Sequence, residues 1–347
     1  MNPVEPALFS LVPRPLKEEV LLWRLGDALP TMAETTLRLS FAHGAERSRH
    51  RYQVDFERVG DRLIVILDRQ RLAHDLPLYQ MMWRRLPTFV RLLSRAAPNL
   101  PPVATNISDG GGNQPNELAF CSDEERAILV PDPAFMTPSI YEPFRELADS
   151  RPDRWNKRED TLLWRGAVTG QGHTTTAAMD MDDPSLKQRV RLCLALRGLS
   201  DVDVKLVVTG HDRGAHQATD ALRAHGILGE FVPPSRWIDV KFAIDIDGSS
   251  NSWANLYTRL LLGCCVLKVA SPGGFRQWYY DEFVPWTHYV PVASDLSDIV
   301  EKVEWCRAHD QACREIAAAG QEFALRRTPE SETVAAVQKI NDLLAGT

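Results

Sequence analysis

The sequence predicts an α/β protein whose second half holds a parallel sheet. Two observations carry this. From about Thr161 onward, apolar runs of strand length alternate with segments at helical spacing, the pattern of strand–helix–strand units with right-handed crossovers. One such unit is legible in full in KFAIDIDGSSNSWANLYTRLLLGCCVLKVAS, Lys241 to Ser271. There the apolar run Phe242 to Ile246 ends on Asp247-Gly248, Leu256 to Leu262 recur at helical spacing, and Val266 to Val269 form a second apolar run.

The other elements follow in order. Residues 51–69, RYQVDFERVGDRLIVILDR, predict two strands around a Gly60-Asp61 turn. The segment from Tyr79 predicts amphipathic helix that Pro87 breaks or starts. Pro101-Pro102 lead into a short apolar strand, then a Gly/Asn/Asp loop, then a strand over Leu118 to Cys121. ILVPDPAFMTPSIYEPF is proline-rich and reads as extended. Beyond it, TLLWRG predicts strand into turn, LKQRVRLCLALRG a helix ending at Gly198, VDVKLVVTG a strand, and Asp220 to Gly226 another helix. The end is helical, with Asp295 and Asp310 as N-cap candidates.

The chain of 347 residues is long enough for about two domains. The polar, proline-bearing stretch Ser150 to Asp160 marks the boundary, giving domains 1–150 and 151–347, with the last helix a candidate to pack back on the first. A hydrophobic fraction of 44% and a charged fraction of 25% are those of an ordinary globular protein. A net charge of -6 gives no general affinity for nucleic acid, which is not an expected partner. The first residues lack the pattern of a secretory signal, and no apolar stretch reaches spanning length. The six cysteines include no C-x-x-C, and Cys193, Cys264 and Cys265 read as buried small hydrophobes. A reducing cytoplasm is therefore expected. A basic-aromatic patch, Met81 to Arg85, offers a peripheral contact with the inner face of a membrane; a core helix with a solvated face is the plainer reading.

Three polar loops carry candidate chemistry. Ligands of open parallel sheets bind outside the carboxyl ends of the strands, where WRGAVTGQGHTTT and DIDGSSNSWANL lie. In the first, a glycine loop exposes backbone N–H groups to an oxyanion, and Arg165 is a bidentate phosphate candidate. A surface loop with a structural ion pair is the alternative. In the second, Ser249, Ser250, Asn251 and Ser252 offer partners to a ribose or diphosphate, although a helix cap would explain one of them. In NISDGGGNQPN, Asp109 opens into three glycines. It is either a general base or an Asp-Gly turn. His288 lies alone among aromatics and reads as packed. No H-x-x-x-H, H-E-x-x-H or D-x-D occurs, so no metal is expected.

Taken in order, these segments resemble glycosyltransferase family 90, the group of fungal capsule xylosyltransferases, animal protein O-glucosyltransferases and bacterial lipopolysaccharide-modifying relatives. The match runs through Trp164-Arg165-Gly166, Thr169-Gly170, Lys241, Asp247-Gly248, Ser252, Arg259 to Leu262, Pro285-Trp286, His288-Tyr289 and Pro291-Val292. The resemblance implies a GT-B architecture, two Rossmann-like domains facing a cleft. It implies an inverting, metal-independent transfer from a UDP-sugar, glucose or xylose above others, with no cofactor beyond that donor. Asp109 matches the family's base. The implied donor site comprises Arg165, Gly166, Ala167, Thr169 and Gly170 in the first loop. It continues through Lys241, Asp247, Gly248, Ser249, Ser250, Asn251, Ser252, Trp253, Asn255 and Arg259. The acceptor would be a hydroxyl of a surface glycan or lipid-linked glycan. Two family arginines are replaced here, by Asn255 and by His173, and Arg189 or Arg191 is a candidate substitute. Those departures motivate the alternative of a weakly active or inactive nucleotide-sugar or glycan-binding protein.

Overall fold

The computed structural model describes residues 12–13, 16–29, 37–44, 50–98, 100–151, 154–208 and 213–345. The chain forms two units. One comprises Met1–Thr137, Arg276–Trp278 and Thr328–Thr347, and the other Pro138–Phe275 and Tyr279–Arg327. The division falls at Thr137/Pro138, upstream of the polar stretch 150–160 that the sequence marked. No described helix is long and apolar enough to cross a membrane.

The first unit carries α1 (Lys17–Gly26), β1 (Arg38–His43), β2 (Gln53–Val59), β3 (Arg62–Leu67), α2 (Arg69–His74), α3 (Leu76–Arg95), β4 (Val103–Asn106), β5 (Leu118–Ala119), β6 (Cys121–Ser122) and β7 (Ile128–Leu129). Its mixed sheet has the order β1-β3-β2-β4-β5-β7. β2 and β3 are the hairpin expected around Gly60, which turns with φ +60°. The expected break at Pro87 does not occur: α3 runs through it. A proline inside a helix costs about 3 kcal/mol. Burial of Leu86, Phe89, Val90, Leu92 and Leu93 on the same helix offsets this. Residues 81–85 are drawn into the unit: Met82 is buried, Trp83 lies under the Arg24 guanidinium, and Arg85 turns to the loop after β4.

The second unit carries α4 (Pro138–Asp149), β8 (Glu159–Ala167), α5 (Gln188–Leu196), β9 (Val202–Val207), α6 (Arg213–Ala224), β10 (Val240–Asp245), α7 (Ala254–Leu261) and β11 (Cys265–Val269). β12 (Arg276–Gln277) pairs with β6 in the first unit. β13 (Val290–Val292), α8 (Ile299–Ala308) and α9 (Asp310–Leu325) complete the second unit, and α10 (Pro329–Ala345) belongs to the first. The stretch read as extended in fact contains α4. Pro138 takes its first position, where the missing N–H costs nothing, and Pro143 is carried inside. Gly198 follows α5 with φ +82°, as a helix terminator does. Asp295 is not a cap: it closes a turn on Ser297, and Asp298 precedes α8 instead. Thr209 and Gly210, the expected end of β9, lie outside the described residues.

The five strands of the second unit are all parallel, in the order β13-β11-β10-β8-β9. β8 comes first in the chain, β9 pairs on one side of it, and β10 then crosses to the other side. That is a doubly wound sheet with its switch point between β8 and β10. β10 and β11 are buried at every residue, as expected for strands covered on both faces. The α/β class read from the sequence is the observed one, and two α/β units are the components of the GT-B class.

Within this core Lys268 Nζ bonds Asp245 Oδ2 at 2.9 Å, directly across the β10–β11 register. Asp245 is inaccessible, and Lys268 is the cation that faces it. Lys268→Met leaves that carboxylate buried and uncompensated. The expected loss is about 3–5 kcal/mol, read as a lower denaturant midpoint.

Candidate functional site

A cavity of about 270 Å³ opens at the carboxyl ends of the parallel strands. Thr169 and Gly170 line it from the loop after β8, Asp247 to Ser250 from the loop after β10, Pro272, Gly273 and Phe275 from the loop after β11, and Ser294 from beyond β13. Leu186 and Gln188 bring the amino end of α5 to it, with the partial positive charge of that end.

The loops after β8 and β10 meet at two glycines. Gly170 has φ +111°, and a Cβ there would lie 3.2 Å from the Gly248 carbonyl oxygen. A Cβ on Gly248 would fall 2.7 Å from Thr169 Oγ1. Both positions need glycine for close approach. Arg189, on α5, ties the loops from behind. Its Nε donates to the Asp247 carbonyl at 2.8 Å and its Nη2 to that of Ile246 at 3.1 Å. Its Nη1 donates to the Ala167 carbonyl at 3.1 Å and to Thr169 Oγ1 at 2.9 Å.

The turn after β10 is rich in polar atoms that the fold leaves unsatisfied. Asp247 Oδ2, Ser250 Oγ, Asn251 Nδ2 and Ser252 Oγ are all buried without a hydrogen-bond partner. Asn251 Oδ1 accepts from Trp253 N at 2.5 Å, and Trp253 holds φ +51°, a strained value for a bulky residue. Buried polar groups are ordinarily paired, because an unpaired one costs about 1–3 kcal/mol. Two of the four, Asp247 and Ser250, line the cavity, so a ligand there has unsatisfied groups to meet. Burial pushes the Asp247 carboxyl up to about 6, against the pull of Lys268, a Ser271 hydrogen bond and Arg189, with Asp245 adding to the rise.

Several expected donor residues are elsewhere. Arg165 bonds Asp203 Oδ2 at 2.7 Å and the carbonyls of Trp164, Asp203 and Glu230; it fastens β8 to β9 and does not line the cavity. Lys241 is at the amino end of β10, about 20 Å of strand from the turn. It is paired with Asp160 at 2.5 Å and Asp310 at 2.7 Å. Arg259 is buried with its guanidinium 3.6 Å from the Trp237 ring centre, and burial lowers it to about 10. His173 is exposed and closes a backbone bridge with Ser185 and Lys187. Asn255 is exposed on the first turn of α7, and Gly166 and Ala167 remain within β8. His288 is packed against Phe283 and Phe323 and accepts from Val284 N, as its place among aromatics suggested.

Arg191 was named only as a candidate substitute, and it is the cation that lines the cavity among the described residues. Its Nε donates to the Met181 carbonyl at 2.7 Å and its Nη2 to that of Asp295 at 2.8 Å. Gln188, Phe275 and Ser294 were not anticipated. Their loops carry no motif, and only the fold brings them to the rim.

In the first unit, Asp109 stands on a loop built by Asn106, Ser108 and Asn113. Ser108 Oγ donates to the Gly111 carbonyl at 2.9 Å, and Asn113 Nδ2 donates to that of Gly110 at 2.7 Å. The Asp109 side chain is 54% exposed and pairs with Arg85, which also donates to the Ile107 carbonyl at 2.5 Å. Asp132, fully buried nearby, is pushed up to about 6 by that burial; backbone N–H groups and Arg85 oppose the rise.

A polar cavity at the switch point of a doubly wound sheet, with a helix amino end and an arginine on its rim, is an arrangement suited to an anionic, hydroxyl-rich ligand. The chain belongs to glycosyl transferase family 90, whose model matches residues 118–335. Uncharacterized protein 035R of Invertebrate iridescent virus 3 is 31% identical over 176 residues, covering 49% of this chain and 15% of the viral protein. Protein O-glucosyltransferase 2 of Danio rerio is 39% identical over 100 residues, 29% of this chain and 19% of that protein. The chain therefore spans about a sixth of the length of these curated relatives. HepE of Anabaena in complex with UDP-glucose aligns with 61% of this chain and 54% of its own, at 12% identity and a TM-score of 0.32.

Asp247 and Asp132 both have folded-state values above the ordinary carboxyl range. Such groups favour the folded state when protonated, and that contribution is lost as pH rises from about 4 through about 6. Stability measured by denaturation across this window is expected to decline on their account, and Asp247→Asn to flatten part of the slope. An unchanged slope in that variant contradicts the assignment.

Proposed function

We propose that this protein is an inverting, metal-independent glycosyltransferase that moves glucose or xylose from a UDP-sugar to a hydroxyl of a surface glycan, such as lipopolysaccharide or capsule. The observation that carries the reading is the set of unpartnered buried polar atoms of Asp247, Ser250, Asn251 and Ser252 beside the switch-point cavity. Family membership supports it, as do the glucosyltransferase names of relatives such as that of Danio rerio.

In this reading the turn after β10 bonds the sugar and ribose hydroxyls. The amino end of α5 and Arg191 face the diphosphate. Charge that builds on the departing phosphate is stabilised by these fixed dipoles and one guanidinium. Asp109 takes the proton of the acceptor hydroxyl as its oxygen forms the new bond to the anomeric carbon and the bond to UDP breaks. Arg85 holds that carboxylate in place until the acceptor displaces the pair.

The same ion pair favours a second reading. A carboxylate occupied by arginine offers its oxygen to no acceptor hydroxyl, and a chain with that pair intact would bind a nucleotide sugar or glycan without transferring it.

Two measurements separate them. Calorimetry against UDP, UDP-glucose, UDP-xylose, GDP-mannose and NAD, with and without divalent metal, is expected to show saturable, metal-independent binding of a uridine ligand. Arg191→Ala is expected to weaken it about tenfold or more, the scale of a charge-assisted hydrogen bond. Asp109→Asn is expected to retain that binding while transfer falls about a hundredfold or more. Wild-type rates in that variant sink the base; binding without turnover in the wild type selects the second reading.

A further inference from the structure

Three cysteines converge in the core of the second unit. Cys265 begins β11, Cys306 is on α8 and Cys313 is on α9, and their sulfurs all lie within 4.8 Å of one another. All three are buried, and none is in a disulfide. They are far apart in the chain and share no C-x-x-C, so no sequence spacing announces them.

The geometry suits one ion. With metal–sulfur bonds of about 2.3 Å, three sulfurs around a single centre sit about 4 Å apart. Separations of no more than 4.8 Å need at most a small contraction. No histidine or carboxylate belongs to the group among the described residues. Zinc almost always takes four ligands, and here only three are offered. An all-sulfur, three-coordinate, apolar setting matches a soft monovalent cation.

There is also a way in. A narrow gap of about 10 Å³, with room for about one water, is lined by Cys306 with Val303, Phe242 and Leu267. It would pass a bare ion and exclude a chelator.

We propose that Cys265, Cys306 and Cys313 form a binding site for one Cu(I) ion. Uptake displaces thiol protons to solvent and involves no change of oxidation state. Cys265 is at the amino end of β11, whereas the polar cavity is beyond its carboxyl end, about 13 Å of strand away. The ion is therefore structural. It joins a strand to two helices and leaves the cavity unoccupied.

The test is anaerobic titration of the whole chain with Cu(I) delivered as its bicinchoninate complex, with circular dichroism to verify folding. One ion per chain is expected. Binding is expected to survive Cys193→Ser and Cys264→Ser and to weaken a hundredfold or more in Cys306→Ser, or in Cys306→Ala should the serine variant misfold. X-ray absorption on the wild-type copper complex, which needs no variant, is expected to show about three sulfur neighbours. Undiminished binding in the Cys306 variants, nitrogen or oxygen in the first shell, failure to take copper, or preferential uptake of Zn(II) overturns the proposal.

Discussion

The second unit depends on one guanidinium. Arg189 reaches from α5 to the carbonyls of Ala167, Ile246 and Asp247 and to the Thr169 hydroxyl. These acceptors lie at or just beyond the ends of β8 and β10, the two strands that flank the switch point. A parallel sheet that changes direction there splays its two following loops apart. The planar fork of an arginine draws them together at fixed geometry, and Gly170 and Gly248 remove the side chains that would hold them apart. With Arg189 so occupied, the charge presented to the cavity falls to Arg191, two residues along the same helix and therefore on a different side of it.

The same economy recurs in the rest of the unit. Arg158 donates to the carbonyls of Val240, Leu262 and Gly263, and Arg145 to those of Ala324, Leu325 and Arg327. Element ends leave carbonyls that no intrahelical or ladder bond satisfies. Arginine supplies several donors to such clusters at once. This explains why Arg165 and Arg259, which the family resemblance places in a donor site, prove to be fastenings. Each is spent on carbonyls, on a carboxylate or on an aromatic face. The contrast with the turn after β10 is informative. There Arg189 fastens the backbone carbonyls of Ile246 and Asp247, while four buried side-chain polar atoms stay unpaired.

The first unit uses charge differently. Asp109 is half exposed and paired, and Asp132 is buried and driven toward neutrality. Arg85 acts on both. The exposed carboxylate is held by an ion pair, while loss of water raises the buried one against the pull of backbone N–H groups and the same cation.

What the sequence determined by itself was whatever repeats at short range. The alternation of apolar runs with helical spacing announced the parallel sheet. The glycines of the loop after β8 and of the turn after β10 announced a close approach, because few other reasons place glycine beside a strand end. The hydroxyls and amides after Asp247 announced a polar site, since one cap would have needed only one of them. What only the tertiary structure decided was direction and company. The linear chain does not say which side of β8 Arg165 leaves from, or that Lys241 is at the wrong end of its strand. It does not say that helix-favouring burial carries α3 through Pro87. Nor does it bring Cys265, Cys306 and Cys313 together, because their meeting depends on how α8 and α9 pack against β11. Local propensity acts over a few residues, while the orientation and partners of a side chain are set by packing between elements distant in the chain.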